Sequence, residues 1–294
     1  MPQLSSRAGI LAGVDGSPQS DAAVRWASQE AVMRRAPLTL VHVIVPVIAG
    51  WSLGPMHGDV IEWQQSNADD VIKRARKAVQ SCVAESQLPE VHTEVLHGSI
   101  VPALVYVSGS EQMIVVGSRG TGALGGARMG SVSAGLVHHA RCPVAVIHDG
   151  QRRSGDDRES VLLGVDGSPA SEAATAIAFE EASWRKTDLV ALHAWSDVAV
   201  FPILGMDWRE HESQGHEILG ERLAGWQEQY PDVHVRRRLV CDQPARWLIR
   251  EAEHAQLVVV GSRGRGGFAS MLLGSVSSAV AQSANVPVIV VRGR

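Results

Sequence analysis

Apolar positions in this chain fall in short solid runs, separated by longer stretches in which they recur every three or four residues. Ile10–Val14 and Val161–Val165 are two such runs. Short apolar runs bounded by turn residues fit strands buried on both faces, as in a parallel sheet covered by helices. Each of these two runs leads into Gly-Val-Asp-Gly-Ser-Pro, at Gly13–Pro18 and again at Gly164–Pro169. Ser17-Pro18 and Ser168-Pro169 read as a helix N-cap followed by proline in the first turn, and the spacing predicts helices running to about Arg35 and Arg185. Further strands are predicted at Leu38–Val45, Val91–Leu96, Met113–Val116 and Val144–Ile147, and at Leu189–Ala194, Val233–Val240, Leu257–Val260 and Val288–Val291. Between them fall an amphipathic helix over Val60–Ser86 or Trp208–Gln229, a short helix from Pro102 or Pro244, and a helix from Ser131 or Ser275. This alternation predicts an α/β fold of two tandem doubly wound parallel-sheet domains.

The duplication extends beyond the first motif. Gly117-Ser118-Arg119-Gly120-Thr121-Gly122 recurs as Gly261-Ser262-Arg263-Gly264-Arg265-Gly266, with Gly267 following. Gly130-Ser131-Val132-Ser133 recurs as Gly274-Ser275-Val276-Ser277, and Pro143 with its apolar run recurs at Pro287. The order is kept and the interval shortens once, which fits a loop trimmed in the second copy. The segment between the copies is rich in Arg, Asp, Ser and Gly and lacks apolar residues. It reads as a linker over 150–159, with domains over 1–149 and 160–294.

Bulk properties narrow the function classes. With 294 residues, two domains of about 100–200 residues each are expected. A net charge of −4 and a pI near 6.3 argue against a broad nucleic-acid-binding surface. The three cysteines, Cys82, Cys142 and Cys241, form no CxxC pair and suggest a reducing compartment. No segment reads as a signal peptide, and no apolar run is long enough to span a membrane. The expectation is a cytoplasmic protein without membrane insertion.

The chemistry concentrates in the second glycine motif. Its spacing is G-x2-G-x9-G-S in both copies, after the fourth predicted strand and before a helix. Glycines permit positive φ and close approach of the backbone to a ligand. The helix start offers free N–H groups and a positive dipole to an anion. Ser131 and Ser275 can cap that helix or donate to a phosphate, and Ser133 and Ser277 offer a second donor. Arg119, Arg263 and Arg265 supply charge suited to a polyphosphate. The loop is not a Walker A motif, since no G-x4-G-K-[ST] occurs. It is not the dinucleotide fingerprint either, which follows the first strand.

Taken together, G-x2-G-x9-G-[ST] after a fourth strand and Gly-Val-Asp-Gly-Ser after a first resemble the universal stress protein family, in its ATP-binding branch. The resemblance covers nearly the whole chain twice and is similar to the tandem members of actinobacteria. It implies an adenine nucleotide α-hydrolase-like fold, ATP (alone or with Mg2+) at the strand ends, and a role in stress or dormancy without a defined reaction. By position, it places Asp15 and Asp166 near the ribose or the phosphates. It places Gly13 and Gly164 where the backbone passes the nucleotide, and the ends of the second strands, Val43 and Ala194, beside adenine. Asp197 is placed to reach a ribose hydroxyl, where the first copy has Pro46. Two ATP sites of unequal affinity are therefore expected. The resemblance also implies a homodimer, with the last strand of each copy as the pairing element. The protein partner is left unidentified.

Other candidates have simpler explanations. Asp-Gly at 15–16 and 166–167 is also ordinary turn chemistry. His42 and His193 match across the copies at strand ends and read as hydrogen-bonded residues near the core. Lys73, Arg74, Arg76 and Lys77, Asp69-Asp70 and Glu180-Glu181 read as solvated faces, and Arg236–Arg238 as flanking an edge strand. Trp26 and Trp184, in corresponding helices, read as core, and Cys142 and Cys241 as small buried or inert thiols. A slow ATPase, a structural module with empty sites and a cyclic AMP binder remain as alternatives to a regulatory ATP binder.

Overall fold

The structure, a computed structural model, describes residues 9–46, 57–122, 129–148, 160–194, 208–264 and 273–293. The chain divides into two compact units, Met1–Asp149 and Gly150–Arg294.

The first unit contains β1 (Ile10–Gly13), α1 (Pro18–Arg34), β2 (Leu38–Ile44), α2 (His57–Cys82), β3 (Val91–His97), α3 (Ile100–Val107), β4 (Met113–Gly117), α4 (Ser131–His139) and β5 (Val144–Ile147). Its strands lie in the order β3-β2-β1-β4-β5, and all pair in parallel. β5 is wholly buried, as are the first four residues of β4, because helices cover both faces of a parallel sheet. β3, at the edge, is only partly buried. The order reverses around β1, whose neighbours are β2 and β4, so a crevice opens beyond the carboxyl ends of these strands.

The second unit repeats this plan with β6 (Ser160–Val165), α5 (Pro169–Arg185), β7 (Leu189–Ala194), α6 (Trp208–Gln229), β8 (Val235–Val240), α7 (Pro244–Glu251), β9 (Ala255–Gly261), α8 (Ser275–Ser283) and β10 (Val288–Val291). The order is β8-β7-β6-β9-β10, again parallel. Two parallel α/β sheets with alternating helices match the fold class expected from the sequence.

The helix signals operate as local chemistry requires. The Ser17 side chain accepts from Ser20 N at 3.1 Å, and that of Ser168 from Ser171 N at 3.2 Å. Proline follows each cap, where its missing N–H costs nothing. Both helices end in a left-handed residue, Arg35 at φ 50 and Lys186 at φ 52, whose N–H groups close the last turn. The faces of α1 and α5 toward the sheet are built of small residues, among them Ala23, Ala27 and Ala31, and Ala174, Ala178 and Ala182.

Several expectations need correction. α2 spans His57–Cys82 rather than Val60–Ser86, with a short 3-10 turn at Glu85–Gln87. α3 begins at Ile100, two residues before Pro102, because Ser99 takes the cap position. Trp184 is 38% exposed and therefore not core, and Trp26 is only partly buried. Glu181 does not lie on a solvated face. It is fully buried and accepts from Arg185 Nε at 3.0 Å. Glu30 and Arg34 form the same buried pair on α1, at 2.8 Å. A carboxylate out of water costs several kcal/mol (about, on an idealised scale) unless a partner and hydrogen bonds compensate it, so each helix carries its arginine one turn on. The edge position expected for Arg236–Arg238 is observed: β8 ends its unit's strand order, and the three arginines meet Asp188, Gln227 and Glu251.

Candidate functional site

The carboxyl ends of β1, β2 and β4 and the start of α4 enclose a cavity of about 440 Å3, within the usual range for small-molecule sites. Gly13, Asp15, Val43, Gly117, Arg119, Gly120, Thr121, Gly122, Gly130, Ser131, Val132 and Ser133 all border it. Of the residues singled out from the first copy, only Ser118 does not. It lies 2% exposed beneath the loop. Ser20, His42, Asn67, Ile100 and Leu104 also line the cavity, and sequence reading gave none of them a ligand role. Ser20 had a visible signal, since it recurs as Ser171, two residues past the repeated motif.

Asp15 organises this site from within. Its Oδ1 accepts from Ser17 N at 2.9 Å and its Oδ2 from Thr121 N at 3.0 Å. Its own N–H donates to Ser20 Oγ at 3.2 Å. The carboxylate therefore ties the β1–α1 turn to the glycine loop 106 residues later. The turn itself needs Gly16, whose φ is +80, a region that glycine enters without steric cost.

In the loop, close approach rather than positive φ explains Gly117 and Gly120. A Cβ on Gly117 would lie 2.9 Å from the Gln19 backbone, and one on Gly120 would run into Asp15 Oδ2. A Cβ on Gly122 would meet nothing within 4 Å. Gly13 faces Val116, at 3.1 Å from a built Cβ.

The serines divide their roles differently from the sequence expectation. Gly130, not Ser131, is the N-cap of α4, and Gly274, not Ser275, that of α8, with no side-chain cap in either. The exposed Ser131 and Ser275 stand in the first helical turn. The Ser133 hydroxyl is turned inward, donating within 2.9 Å of Ser118 O and 3.0 Å of Gly130 O. Ser277 does the same with Ser262 O and Gly274 O. A buried hydroxyl that satisfies loop carbonyls is not available to a phosphate, so Ser133 and Ser277 brace the loop.

The second unit reproduces this geometry. Asp166 Oδ1 accepts from Ser168 N at 2.9 Å, and Asp166 N donates to Ser171 Oγ at 3.1 Å. A Cβ on Gly264 would run into Asp166 Oδ2, and one on Gly261 would lie 2.7 Å from Ala170 C. Gly164 packs under Leu248 and Val260. Ala194 ends β7 as Val43 nearly ends β2, and Arg263 is exposed at the loop. Ser168 adds a bond without a counterpart among the described contacts of Ser17, from its Oγ to Arg263 O at 2.8 Å. Among the described residues the buried Ser262 hydroxyl finds no hydrogen-bond partner. Arg292, after β10, has its pKa lowered by burial and secondarily by the nearby Arg263 charge. Asp197, Arg265, Gly266 and Gly267 lie outside the described residues.

The histidines behave as read. His42 Nδ1 lies 2.8 Å from Val14 O and His193 Nδ1 2.7 Å from Val165 O. Donation to a carbonyl leaves Nε2 as the acceptor in the neutral ring. In the basic run, Arg74 is exposed, as read, and also donates to Gly16 O at 2.7 Å. Burial pushes the Cys142 thiol up to about 12. Cys241, expected to be buried or inert, is exposed. Among the described residues no cluster of three metal-ligating side chains occurs, and no helix is long and apolar enough to cross a membrane.

A glycine-loop cavity at the switch point of a doubly wound parallel sheet, present in duplicate sequence, defines the class: tandem α/β domains of the universal stress type. Comparison with known proteins makes it specific. The Universal stress protein family profile matches residues 8–148 and 158–292. A universal stress protein of Mycolicibacterium smegmatis is 55% identical over 294 residues, covering 100% of both chains. One of Mycobacterium tuberculosis is 50% identical over 293 residues, covering 99% of each. The crystal structure of a universal stress protein from Archaeoglobus fulgidus shares the fold with a TM-score of 0.71 at 19% identity, covering 99% of this chain and 100% of that one. The chain belongs to the universal stress protein family, with two family domains in tandem.

Proposed function

We propose that each domain binds ATP, alone or with Mg2+, and that nucleotide occupancy regulates the protein in a cytoplasmic stress or dormancy response. The observation that carries this reading is the first cavity. It joins an apolar end at Val41 and Val43 to the glycine loop, Arg119 and the first turn of α4, whose leading N–H groups have no intrahelical partner, the two chemistries that an adenine ring and a polyphosphate need. The residues present fit the group. The N-termini of α4 and α8, preceded by glycine N-caps, suit an anion. In this reading Ser131, Arg119 and the loop N–H groups hold the phosphates, and Val43 or Ala194 lies beside the base. Asp15 and Asp166 hold the loops in shape. A homodimer is part of the proposal, readable by light scattering.

Binding without fast turnover is the form favoured by the side chains. Both oxygens of Asp15 accept from backbone N–H groups, which commits that carboxylate to holding the loop. His42 Nδ1 is engaged by Val14 O, and its Nε2, an acceptor in the neutral ring, is the candidate base that phosphate release would implicate. The test is phosphate release from purified protein, alongside Gly120→Ala and Gly264→Ala, with titration of ATP and cyclic AMP. Stoichiometric ATP binding with negligible release supports the proposal. Robust glycine-dependent release would make the protein an ATPase, and tighter binding of cyclic AMP would replace the ligand.

A further inference from the structure

The helix over the first cavity carries a polar residue that the glycine loops do not explain. Gln64, Asn67, Val71 and Arg74 are spaced three, four and three apart on α2, which sets them on one face. Three of the four are docked. Gln64 Nε2 donates to Val45 O, just past β2, at 2.9 Å. Val71 Cγ2 lies 3.1 Å from where a Cβ on Gly16 would stand. Arg74 donates to Gly16 O at 2.7 Å. The face is thus pinned to the end of β2 and to the β1–α1 turn, the two borders of the cavity. Asn67 sits between the pins and lines the cavity, and among the described residues its amide has no hydrogen bond.

The second domain is built differently here. Arg222 stands against Gly167 as Arg74 stands against Gly16, and counting back along the helix puts Gly215 in the place of Asn67. Gly215 is packed on β8, where a Cβ would lie 2.5 Å from Leu239 Cδ2. It brings no polar group.

We infer that Asn67 is a specificity-determining residue of the first site, its amide hydrogen-bonding a ribose hydroxyl of the bound nucleotide, and that the second site lacks this contact. The inference rests on the nucleotide reading above. The base end of the cavity is set by Val41 and Val43 and the phosphate end by Gly117, Arg119, Gly120 and Ser131. Asn67 lies over the span between, where the sugar joins the two. An amide both donates and accepts, which suits a neutral hydroxyl. Unlike a carboxylate, it does not repel the neighbouring phosphates.

The experiment uses the full chain carrying Gly264→Val, which blocks the second loop by driving a side chain onto Asp166. This protein and its Asn67→Ala derivative are titrated calorimetrically with ATP, 2′-deoxyATP and 3′-deoxyATP. Alanine supports an exposed helical position, and melting curves verify the fold. The parent should prefer ATP over one deoxynucleotide by about 3- to 10-fold, the worth of one net hydrogen bond. Asn67→Ala should lose that preference by weakening ATP alone. An ATP-to-deoxyATP ratio identical in the two proteins, with ATP still bound, overturns the inference and leaves the nucleotide reading intact. Failure of the parent to bind ATP overturns both.

Discussion

Replacing Gly120 with alanine sets a Cβ against Asp15 Oδ2. The carboxylate cannot simply retreat, because its other oxygen holds Ser17 N at 2.9 Å. To admit the methyl group, Asp15 must give up Thr121 N, now at 3.0 Å. A hydrogen bond to a charged group is worth about 1.5–3 kcal/mol, which corresponds to a factor of about 10 to 150 in the population of the closed loop. A ligand that needs the closed loop loses apparent affinity by that fraction. Gly120→Ala should therefore weaken first-site ATP binding, by up to about 10- to 150-fold, read by calorimetry with the second site blocked by Gly264→Val. The melting temperature should move little, because the opening is local. Gly122→Ala is the control. Its Cβ meets nothing within 4 Å, so affinity should stay within about twofold, as for a surface change away from any contact. Equal losses in both variants, or none in either, would refute the argument that the Asp15–loop contact shapes the site.

Ser133→Ala should lower stability by about 1 kcal/mol in denaturant unfolding, since Ser118 O and Gly130 O each lose one of two donors and keep Gly130 N and Ala134 N. Ser131→Ala should leave stability unchanged and weaken ATP. Glu111, whose Oε2 accepts from Gly9 N, has its pKa raised chiefly by burial. A raised carboxyl favours the fold below its unfolded value of 4.5 and loses that contribution as pH climbs through the folded value. Glu111→Gln should therefore stabilise the protein at neutral pH and not below about pH 4, read as melting temperature against pH. Cys142, buried and with its thiol pushed up to about 12, should resist a thiol reagent at pH 8 until the protein unfolds, while the exposed Cys241, its thiol also raised by desolvation and by Asp242, should react more slowly than a free thiol but without unfolding.

The fold was legible because its signals are local and repeated. Gly-Val-Asp-Gly-Ser-Pro contains a strand end, a turn, a cap and a first-turn proline in consecutive residues, and it occurs twice. The glycine loops were legible as spacing, but their internal contacts were not. Whether Ser133 faces a ligand or the loop depends on Ser118 O, 15 residues away. No pattern of residue types states which way a hydroxyl turns. Asp15 gains its second partner from Thr121, across two strands of the sheet. Glu180-Glu181 read as a solvated face because adjacent acids on a helix usually are one. Only packing against the rest of the unit reveals that the Glu181 carboxylate is fully buried. Asn67 escaped notice for a related reason: its position over the cavity follows from Gln64 and Arg74 binding two backbone carbonyls, Val45 O and Gly16 O, which no side-chain pattern announces.

The central claim, that these domains hold an adenine nucleotide, meets its most direct test in mass spectrometry of what the purified protein releases on denaturation, quantified per chain. The account predicts ATP among the released molecules, with more retained as millimolar ATP is supplied, and loss of it in the combined Gly120→Ala and Gly264→Val protein. No adenine nucleotide released, and none taken up at millimolar ATP by a folded sample, would contradict it.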